Sequence, residues 1–467
     1  MKKNTQYIDN TTICALSTKP GGAIGIIRVA GEDSIKFVND IFTKNILAAK
    51  ANTLHYGEIV DSNNDVIDQV IISIWRAPHS YTGENVVEIS CHGSEYILKK
   101  VIYRLCEIGC RQAKPGEFTL RAYLNGKMDL TQAEAVAELI ASTNKASHKV
   151  ALSQLKGHFT SKLLSLRQKL LTLNSLLELE LDFSDHEELE FVDRTELENL
   201  TVEIDKQVNK LIASFATGQA MKKGIPVAII GNTNVGKSTL LNKLLNEDKA
   251  IVSDIHGTTR DVVSDSVNIN GINFLFIDTA GFRKTEDYIE NLGIERTIQE
   301  LDTAQIVLWV VDKDIDNYDI KKIQSKCSDK KLIVVRNKID NKDNIDKFNS
   351  YINNIKSEDK KPYYNIYTSG KYNIGIEDLK KLVYIIADIP EITENTLIVT
   401  SARHYDALLR ARNALNRVKD SLEQSLSADF IAEDLKDVLS ILGEITGQEI
   451  TSQETLNNIF KNFCIGK

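Results

Sequence analysis

Val227-Ala-Ile-Ile-Gly231-Asn-Thr-Asn-Val-Gly236-Lys237-Ser238 is an apolar, strand-like segment that runs into a glycine-rich loop, and the helical pattern Thr239–Leu245 follows directly. The loop matches GxxxxGK followed by Ser or Thr. In this pattern backbone N–H groups wrap a phosphate chain and the helix N-terminus adds its positive dipole. Lys237 can reach the β and γ phosphates, and Ser238 can ligate Mg²⁺. The stretch predicts a nucleotide-binding α/β domain.

Further motifs follow in the order that a GTPase requires. Gly257-Thr258-Thr259-Arg-Asp lies in a polar segment, where a Thr hydroxyl can complete the Mg²⁺ shell and sense the γ-phosphate. The strand-like Asn273-Phe-Leu-Phe-Ile-Asp278 then leads into Thr279-Ala280-Gly281, a DxxG motif. This motif predicts Asp278 near Mg²⁺ and the Gly281 amide at the γ-phosphate.

The base preference is predicted by Asn337-Lys338-Ile-Asp340, which follows the strand-like Leu332–Arg336. A carboxylate at Asp340 can accept both N–H groups on the N1 and N2 edge of guanine. Adenine has no such donor pair and would leave buried acceptors unpaired. Ser369-Gly370-Lys371 resembles the last loop around guanine, with Gly where such loops commonly have Ala. The motifs together predict a Ras-like P-loop GTPase.

One catalytic group of Ras-like enzymes is missing from this sequence. Phe282 follows Gly281, at the position where those enzymes have the Gln that orients the attacking water. Hydrolysis must then be completed by another side chain, a metal ion or a second subunit. Asn234 can coordinate a monovalent cation near the phosphates, or it can simply shape the loop.

The sequence around this domain changes its pattern. Up to about residue 120, short β-branched stretches such as Ile24–Val29 and Val70–Trp75 predict an α+β domain. From Asp129 to about Phe215, long apolar-periodic segments predict amphipathic helices, and helical patterns return after Ser401. We expect the apolar faces of the later helices to pack against the earlier helices, which are the simplest available partners. We therefore expect three domains: residues 1–124; a discontinuous helical domain, residues 125–220 and 388–467; and an inserted GTPase domain, residues 221–387.

The composition excludes several classes of protein. With 42% hydrophobic and 26% charged residues, the 467-residue chain is far from disordered composition. Its 57 basic and 65 acidic residues give a net charge of −8, so any RNA contact must be local or supplied by a partner. Apolar runs such as Ile306–Val311 are too short for a membrane span. The six cysteines are scattered and show no CxxC spacing. The first segment, MKKNTQYIDN, lacks the character of a signal peptide. Both features predict a cytoplasmic protein.

Several blocks of the sequence resemble the tRNA-modification GTPase family MnmE, also called TrmE. Besides the GTPase motifs, they are Gly22–Gly31, Ser80–Gly93, Pro115–Ala135 and Cys464–Lys467. The resemblance implies a homodimer that works with the flavoprotein MnmG in a heterotetramer or larger complex. It implies addition of an aminomethyl or carboxymethylaminomethyl group to C5 of wobble uridine 34 in tRNA.

The resemblance also implies that the N-terminal domain serves dimerisation and binds a tetrahydrofolate derivative, 5-formyl or 5,10-methylene, as the one-carbon donor. The folate contacts carried over from the family are Arg28, Glu88, Lys127 and Lys467. A carboxylate suits the N–H edge of a pterin, and cations suit the glutamate tail. Cys464, beside the end of this sequence, has no His spacing that would activate it and is not expected to be catalytic.

For the GTPase, the resemblance implies activation by potassium and by dimerisation of the GTPase domain. The K⁺ ligands are then Asn234, Ser253, Ile255 and Thr258, with Ser253 where the family has Thr. The Mg²⁺ ligands are Ser238 and Thr259. Glu290 falls at the family's position for the acidic residue that helps organise the attacking water, so the catalytic residues are expected to be Glu290, Lys237 and Asp278.

The full set of expected GTP contacts follows from these motifs and matching segments. It comprises Gly231, Asn234, Val235, Gly236, Lys237, Ser238, Thr239, Ser253, Asp254, Ile255, His256, Gly257, Thr258, Thr259, Asp278, Thr279, Ala280, Gly281, Asn337, Lys338 and Asp340. Two alternatives stay open from the sequence. One is an RNA-associated GTPase switch in ribosome assembly, and the other is a structural scaffold with a vestigial nucleotide site.

Overall fold

The computed structural model describes residues 11–182, 194–232, 234–246, 265–278, 304–312, 323, 325, 327, 330–339, 363–390, 396–424, 426–447, 453–461, 463 and 466. The chain forms two compact units. The first comprises Met1–Ala141, Ala151–Ile212 and Ala402–Lys467, and the second comprises Ser142–Val150 and Ala213–Ser401. The limits of the three domains expected from the sequence stay a prediction.

The strands are β1 (Ile13–Leu16), β2 (Ile24–Ala30), β3 (Thr53–Val60), β4 (Val66–Trp75), β5 (Val86–His92), β6 (Arg111–Gln112), β7 (Ile225–Ile230), β8 (Asp265–Ile269), β9 (Ile272–Asp278), β10 (Ile306–Val311), β11 (Lys331–Arg336) and β12 (Tyr364–Tyr367). The helices are α1 (Ser34–Ile41), α2 (Glu95–Glu107), α3 (Glu117–Leu124), α4 (Leu130–Ala141), α5 (Lys145–Leu155), α6 (His158–Asp182), α7 (Arg194–Lys223), α8 (Lys237–Asn246), α9 (Ile376–Ala387), α10 (Ala402–Glu423), α11 (Ala428–Thr446) and α12 (Gln453–Lys461). The described chain is thus mixed α and β, as the sequence predicts.

The first unit contains a sheet in which the described strands have the order β3-β4-β5-β2-β1-β6. Neighbouring strands are antiparallel, apart from the parallel pair β1 and β6. Helix α2 lies on one face of this sheet and buries Leu98, Val101 and Leu105, which recur at helical spacing. The fit is tight at Gly25, because a Cβ there would lie 2.4 Å from Leu98 Cδ2. The α+β prediction for this part of the chain is confirmed.

The second unit contains a sheet with the order β12-β11-β10-β7-β9-β8 among its described strands. All neighbours are parallel except β8 and β9. Apolar side chains of β7, including Val227 and Ile229, pack with Leu240 of α8 and Leu379 of α9. The carboxyl ends of the parallel strands therefore share one edge of the sheet, which is where ligands bind in α/β folds. The α/β prediction is confirmed.

Helices from two distant parts of the sequence pack together in the first unit. Helix α11 packs against α6 and α10. An ion-pair cluster joins α10 to α4, since Arg403 donates from Nε and Nη2 to the Glu134 carboxylate at 2.9 and 3.0 Å. His404 Nε2 lies 2.6 Å from Glu134 Oε2, and its buried ring stacks on Phe159.

Among the described helices, none is long and apolar enough to cross a membrane.

The Glu134 cluster makes stability depend on acid pH. Burial alone would raise the pKa of Glu134, but the charges and hydrogen bonds of His404 and Arg403 lower it from 4.5 to about 2. A carboxyl with a lowered folded-state pKa stabilises the fold above its unfolded pKa. This contribution is therefore fully present above about pH 4.5, and it is lost as the pH falls towards 2.

We predict that Glu134→Gln lowers the free energy of unfolding by about 2 kcal/mol at pH 7, because Arg403 and His404 lose an anionic partner whose side chain is only 16% exposed. Urea unfolding followed by circular dichroism measures this change. Glu95→Gln is the matched control, since the Glu95–Lys99 pair is exposed and its loss should leave the free energy of unfolding nearly unchanged. Equal effects of the two substitutions would contradict the buried-cluster interpretation.

Candidate functional site

The glycine-rich loop lies at the carboxyl edge of the second unit's sheet, between β7 and α8. Gly231 has a φ of +147°, and a Cβ there would lie 2.2 Å from Val310 O on β10. Gly236 has a φ of +97°, and a Cβ there would lie 2.3 Å from Asn337 Nδ2. Asn234 also has a positive φ, +64°. Only glycine fits the positions of Gly231 and Gly236. The strand, loop and helix predicted for this motif are present in the structure.

The Lys237 side chain folds back over the loop. Its Nζ donates to Gly231 O at 2.6 Å and to Asn232 O at 2.8 Å. Ser238 and Thr239 follow in the first turn of α8 and are exposed. The loop therefore brings an ammonium group, a hydroxyl and the N-terminus of a helix together, a combination that suits binding of a phosphate chain and a divalent cation.

The buried side-chain amide of Asn337 connects three loops at this edge. Its Nδ2 donates to Val235 O at 2.8 Å, inside the glycine-rich loop. Its Oδ1 accepts from Gly370 N and from Thr368 Oγ1, both at 3.3 Å, after β12. The sequence predicted Asn337 as a guanine contact, but it gave no signal for this cross-link or for Thr368.

Lys338 and Gly370 lie in the loops that follow β11 and β12. Lys338 has a φ of +64°, and its Nζ pairs with Asp312 Oδ2 at 2.9 Å, just after β10. A Cβ added at Gly370 would lie 3.2 Å from the Thr239 side chain and 3.6 Å from the nearest backbone atom. Gly370 therefore leaves nearly enough room for the Ala that such loops commonly carry. Asp312 was missed by the sequence reasoning, although its place after a buried strand is a typical signal.

Much of the expected nucleotide site lies outside the described residues. Asp278 is the last residue of β9, where its backbone is opposite Ile229 of β7, and so it reaches the same edge as the glycine-rich loop. The other expected residues outside the described ranges are Ser253, Asp254, Ile255, His256, Gly257, Thr258, Thr259, Thr279, Ala280, Gly281, Glu290, Asp340 and Lys467. Their roles stay predictions.

A second cluster, on the sheet of the first unit, contains two of the expected folate contacts. Arg28 on β2 is the cross-strand neighbour of Glu88 on β5, and its Nε and Nη2 each lie 2.8 Å from Glu88 Oε1. The guanidinium lies 5.3 Å from the ring centroid of Tyr81 and 5.5 Å from that of Phe118. Its Nη1 donates to Gly466 O at 3.4 Å. The cluster thus combines a cation, an anion and two aromatic rings.

The segment from residue 78 to residue 85, which carries Tyr81, is held to the same cluster. Lys127 Nζ donates to Pro78 O at 3.0 Å, and Asn125 Nδ2 donates to Thr82 O at 2.8 Å. Burial raises the pKa of Tyr81, partly offset by its hydrogen bond to Thr119 and by the Arg28 charge. Arg28 and Glu88 therefore meet directly, Lys127 joins them through this segment, and the Gly466 carbonyl contacts Arg28. The sequence did not predict the Tyr81 and Phe118 rings, although both residues lie in segments that resemble the family.

Two family models match the chain. The GTP-binding protein TrmE N-terminus matches residues 12–127, and the MnmE helical domain matches residues 130–464. The tRNA modification GTPase MnmE of Bacteroides thetaiotaomicron is 50% identical, over 98% of this chain and all of the relative. The chain belongs to the MnmE family. The MnmE proteins of Parabacteroides distasonis and Flavobacterium johnsoniae, 50% and 46% identical over 98% of this chain, cover their own lengths completely as well.

The MnmE resemblance seen in the sequence blocks is thereby confirmed over essentially the whole chain. Among solved structures, Aquifex aeolicus Era bound to GDP and aluminium fluoride is 30% identical. It covers 40% of this chain and 66% of its own, with a TM-score of 0.25. A TM-score this low carries no argument about the fold.

For this MnmE-family chain we predict that Gly236→Ala weakens GDP binding at least about tenfold, because the new Cβ collides with Asn337 and a positive φ is strained for alanine. Titration with a fluorescent guanine nucleotide measures the affinity. Gly370→Ala is the matched control and should stay within about threefold of wild type. Its Cβ would lie 3.2 Å from the Thr239 side chain, which need shift only slightly, and Gly370 has no positive φ to strain. Equal affinities for both variants would contradict the role given to Gly236.

Proposed function

We propose that this protein, a GTPase of the MnmE family, couples GTP hydrolysis to modification of C5 of wobble uridine 34 in tRNA. The product carries an aminomethyl or carboxymethylaminomethyl group. The observation that supports this proposal best is the presence, in one chain, of a phosphate-binding loop braced by Asn337 and of the Arg28–Glu88 cluster with its two aromatic rings. A protein that acts only as a GTPase switch would not need the Arg28–Glu88 cluster.

In the GTPase reaction, the glycine-rich loop binds the phosphates through its backbone N–H groups. Lys237 exchanges the carbonyls of Gly231 and Asn232 for β- and γ-phosphate oxygens, which are stronger acceptors for an ammonium. Mg²⁺ is bound by Ser238 and Thr259, with Asp278 in support, and Asp340 binds the guanine edge. Asn337 positions the loop after β12, on the guanine side, relative to the glycine-rich loop that binds the phosphates, because its side-chain amide is hydrogen-bonded to both loops.

Hydrolysis needs a substitute for the Gln that Phe282 replaces. We propose K⁺, bound by Asn234 together with Ser253, Ile255 and Thr258, as the additional positive charge at the phosphates. Asn234 is exposed and has a positive φ, so its side chain is accessible at the glycine-rich loop. Dimerisation of the GTPase domain would complete the residues that hold the ion, and Glu290 would help to orient the attacking water.

The Arg28 cluster suits a tetrahydrofolate derivative, 5-formyl or 5,10-methylene. Glu88 can accept from the N–H edge of a pterin, and Tyr81 and Phe118 can contact a flat heterocycle. Arg28 orients the Glu88 carboxylate through their ion pair, and Lys127 and Lys467 supply positive charge for the glutamate tail. When bound, the folate supplies the one-carbon unit. The residues of this chain bind and orient it.

The partners in this proposal are a second copy of the chain, tRNA and the flavoprotein MnmG, in a heterotetramer or larger complex in the cytoplasm. With a net charge of −8, the chain has no general attraction for RNA, so a partner that helps to hold the tRNA is physically reasonable. The domain limits at residues 124, 220 and 387 belong to the same proposal.

We predict that deleting the gene abolishes C5-substituted wobble uridines in tRNA, as measured by mass spectrometry of tRNA nucleosides. The wild-type gene should restore them. Lys237→Ala should not, because the phosphate chain loses its principal cation. Unchanged nucleosides after deletion would overturn the tRNA function and return the GTPase to the ribosome-assembly alternative.

We further predict that replacing K⁺ by Na⁺ at constant ionic strength slows GTP hydrolysis about tenfold or more, because the cation stabilises charge in the transition state. Phosphate release measures the rate. Asn234→Ala should be slow in both salts, whereas Asn232→Ala, its neighbour in the loop, should keep the wild-type difference. Identical wild-type rates in the two salts would refute the K⁺ site.

A further inference from the structure

Two long stretches of this acidic chain contain no Asp or Glu. They are residues 139–177 and residues 206–246, and each carries several lysines. Because the chain has 65 acidic residues among 467, a stretch of this length is expected to contain about five or six. Both stretches contribute to the second unit, through residues 142–150 and residues 213–246. The second unit therefore contains local positive charge within a chain of net charge −8.

The structure brings the two stretches together at the start of α5 and the end of α7. Asn144 Nδ2 donates to Met221 O at 3.1 Å, and Ala146 is buried in one apolar cluster with Met221. The turn between β8 and β9 packs on the same place, since Ala146 N donates to Gly271 O at 3.0 Å and a Cβ at Gly271 would lie 2.9 Å from Lys145 Cβ. The three segments that meet are residues 142–150, 221–224 and 268–273.

The exposed side chains on these three segments are basic or neutral. Lys145 and Lys149 are four residues apart on α5, so they share one face of the helix and are about 6 Å apart along its axis. None of the residues in the three segments is acidic. The exposed residues that we call the basic patch are Lys145, His148, Lys149, Lys222, Lys223, Asn268 and Asn270.

Other surface lysines of the described chain have acidic neighbours. Lys99 on α2 is 75% exposed, and its Nζ lies 2.6 Å from Glu95 Oε1. Lys381 on α9 pairs in the same way with an Asp of its own helix at 3.4 Å. In contrast, the side chains of Lys145 and Lys223 form no ion pair or hydrogen bond with the described part of the chain. Their charges are therefore available to attract an external anion.

The composition of the basic patch suits a phosphate backbone better than a protein surface. Lys and Asn side chains are common donors to the phosphate and sugar oxygens of nucleic acids. Protein interfaces are instead depleted of Lys and enriched in aromatic residues. Among the described residues, none of the large hydrophobic side chains that are exposed belongs to the basic patch. The surface therefore fits RNA rather than another protein.

The basic patch and the nucleotide site lie at opposite ends of one strand. Lys223 ends α7, and β7 begins two residues later at Ile225. The same strand ends at Ile230, directly before the glycine-rich loop. A strand of this length separates the two sites by about 20 Å. RNA bound at the basic patch therefore leaves the nucleotide edge of the sheet accessible.

We propose that the basic patch binds the phosphate backbone of the tRNA substrate. This inference rests on the proposed tRNA-modification function, which identifies the RNA. The lysines neutralise phosphates and release their counterions, and the asparagine amides donate to phosphate or ribose oxygens. Contacts of this kind orient a tRNA without touching the base that reacts. They give a chain of negative net charge the local RNA contact that it needs.

The test measures binding of an in vitro transcribed tRNA with uridine at the wobble position to the full chain, by fluorescence anisotropy at several KCl concentrations. A variant that combines Lys145→Gln, Lys149→Gln and Lys223→Gln should bind about 30-fold more weakly at about 0.1 M KCl. The slope of log affinity against log salt concentration should become shallower by about two to three, because each phosphate contact contributes about one. Arg at the same three positions keeps the charges and should keep wild-type binding.

The matched control removes three positive charges from elsewhere on the surface. It combines Lys99→Gln, Lys381→Gln and Lys436→Gln, which replace lysines that are 75%, 64% and 64% exposed and lie beside acidic groups. This control has the same net charge as the patch variant and should bind tRNA like wild type. GTP hydrolysis without tRNA and thermal melting should be unchanged in both variants.

Equal losses of tRNA affinity in the patch variant and the matched control would overturn the basic patch as a binding site, because net charge alone would then explain them. Wild-type affinity and salt slope in the patch variant, or no tRNA binding by the wild-type chain, would overturn it as well. Loss of flavoprotein binding with unchanged tRNA binding would assign the surface to a protein and contradict the proposal.

Gene deletion separates this inference from the proposed function. If deletion abolishes the modified wobble uridines but the patch variant binds tRNA normally, only the basic patch fails. If deletion leaves the nucleosides unchanged, the proposed tRNA function fails, and the inference fails with it.

Discussion

The buried amide of Asn337 is the interaction on which the nucleotide site depends. Parallel strands bring several loops to one edge of a sheet, but each loop is joined covalently only to its own strand and helix. Asn337 bonds the glycine-rich loop to the loop after β12, and Gly236 must lack a side chain for the amide to fit. The glycine-rich loop and the loop after β12 are thereby held at a fixed spacing. In the proposed GTP site the phosphates and the base contact different loops. The distance between those loops therefore contributes to recognition of GTP.

Local features of the fold were accessible from the sequence. Hydrophobic period and turn residues predicted the strands at Ile24–Val29 and Val227–Ile230 and the helices of the α4–α6 and α10–α12 regions, because these signals act over a few residues. The glycine-rich loop was predictable for the same reason. Its backbone requirements are met by residues within eight positions of one another.

Long-range side-chain partners were not accessible in this way. The Glu134–Arg403 contact joins residues 269 positions apart, and Arg28 meets Glu88 only because of the register between β2 and β5. The resemblance named Arg28 and Glu88, but it did not predict that they bond to each other.

The hydrogen bond from Arg28 to Gly466 spans 438 residues of sequence. During synthesis, β2 and β5 can pair early, and the guanidinium then has Glu88 as its partner for nearly the whole time of translation. The carbonyl of Gly466 arrives only after the helical segments and the entire α/β unit have left the ribosome. The cluster is therefore completed last. The surface around Arg28 therefore differs between a chain that includes residue 466 and one that ends before it.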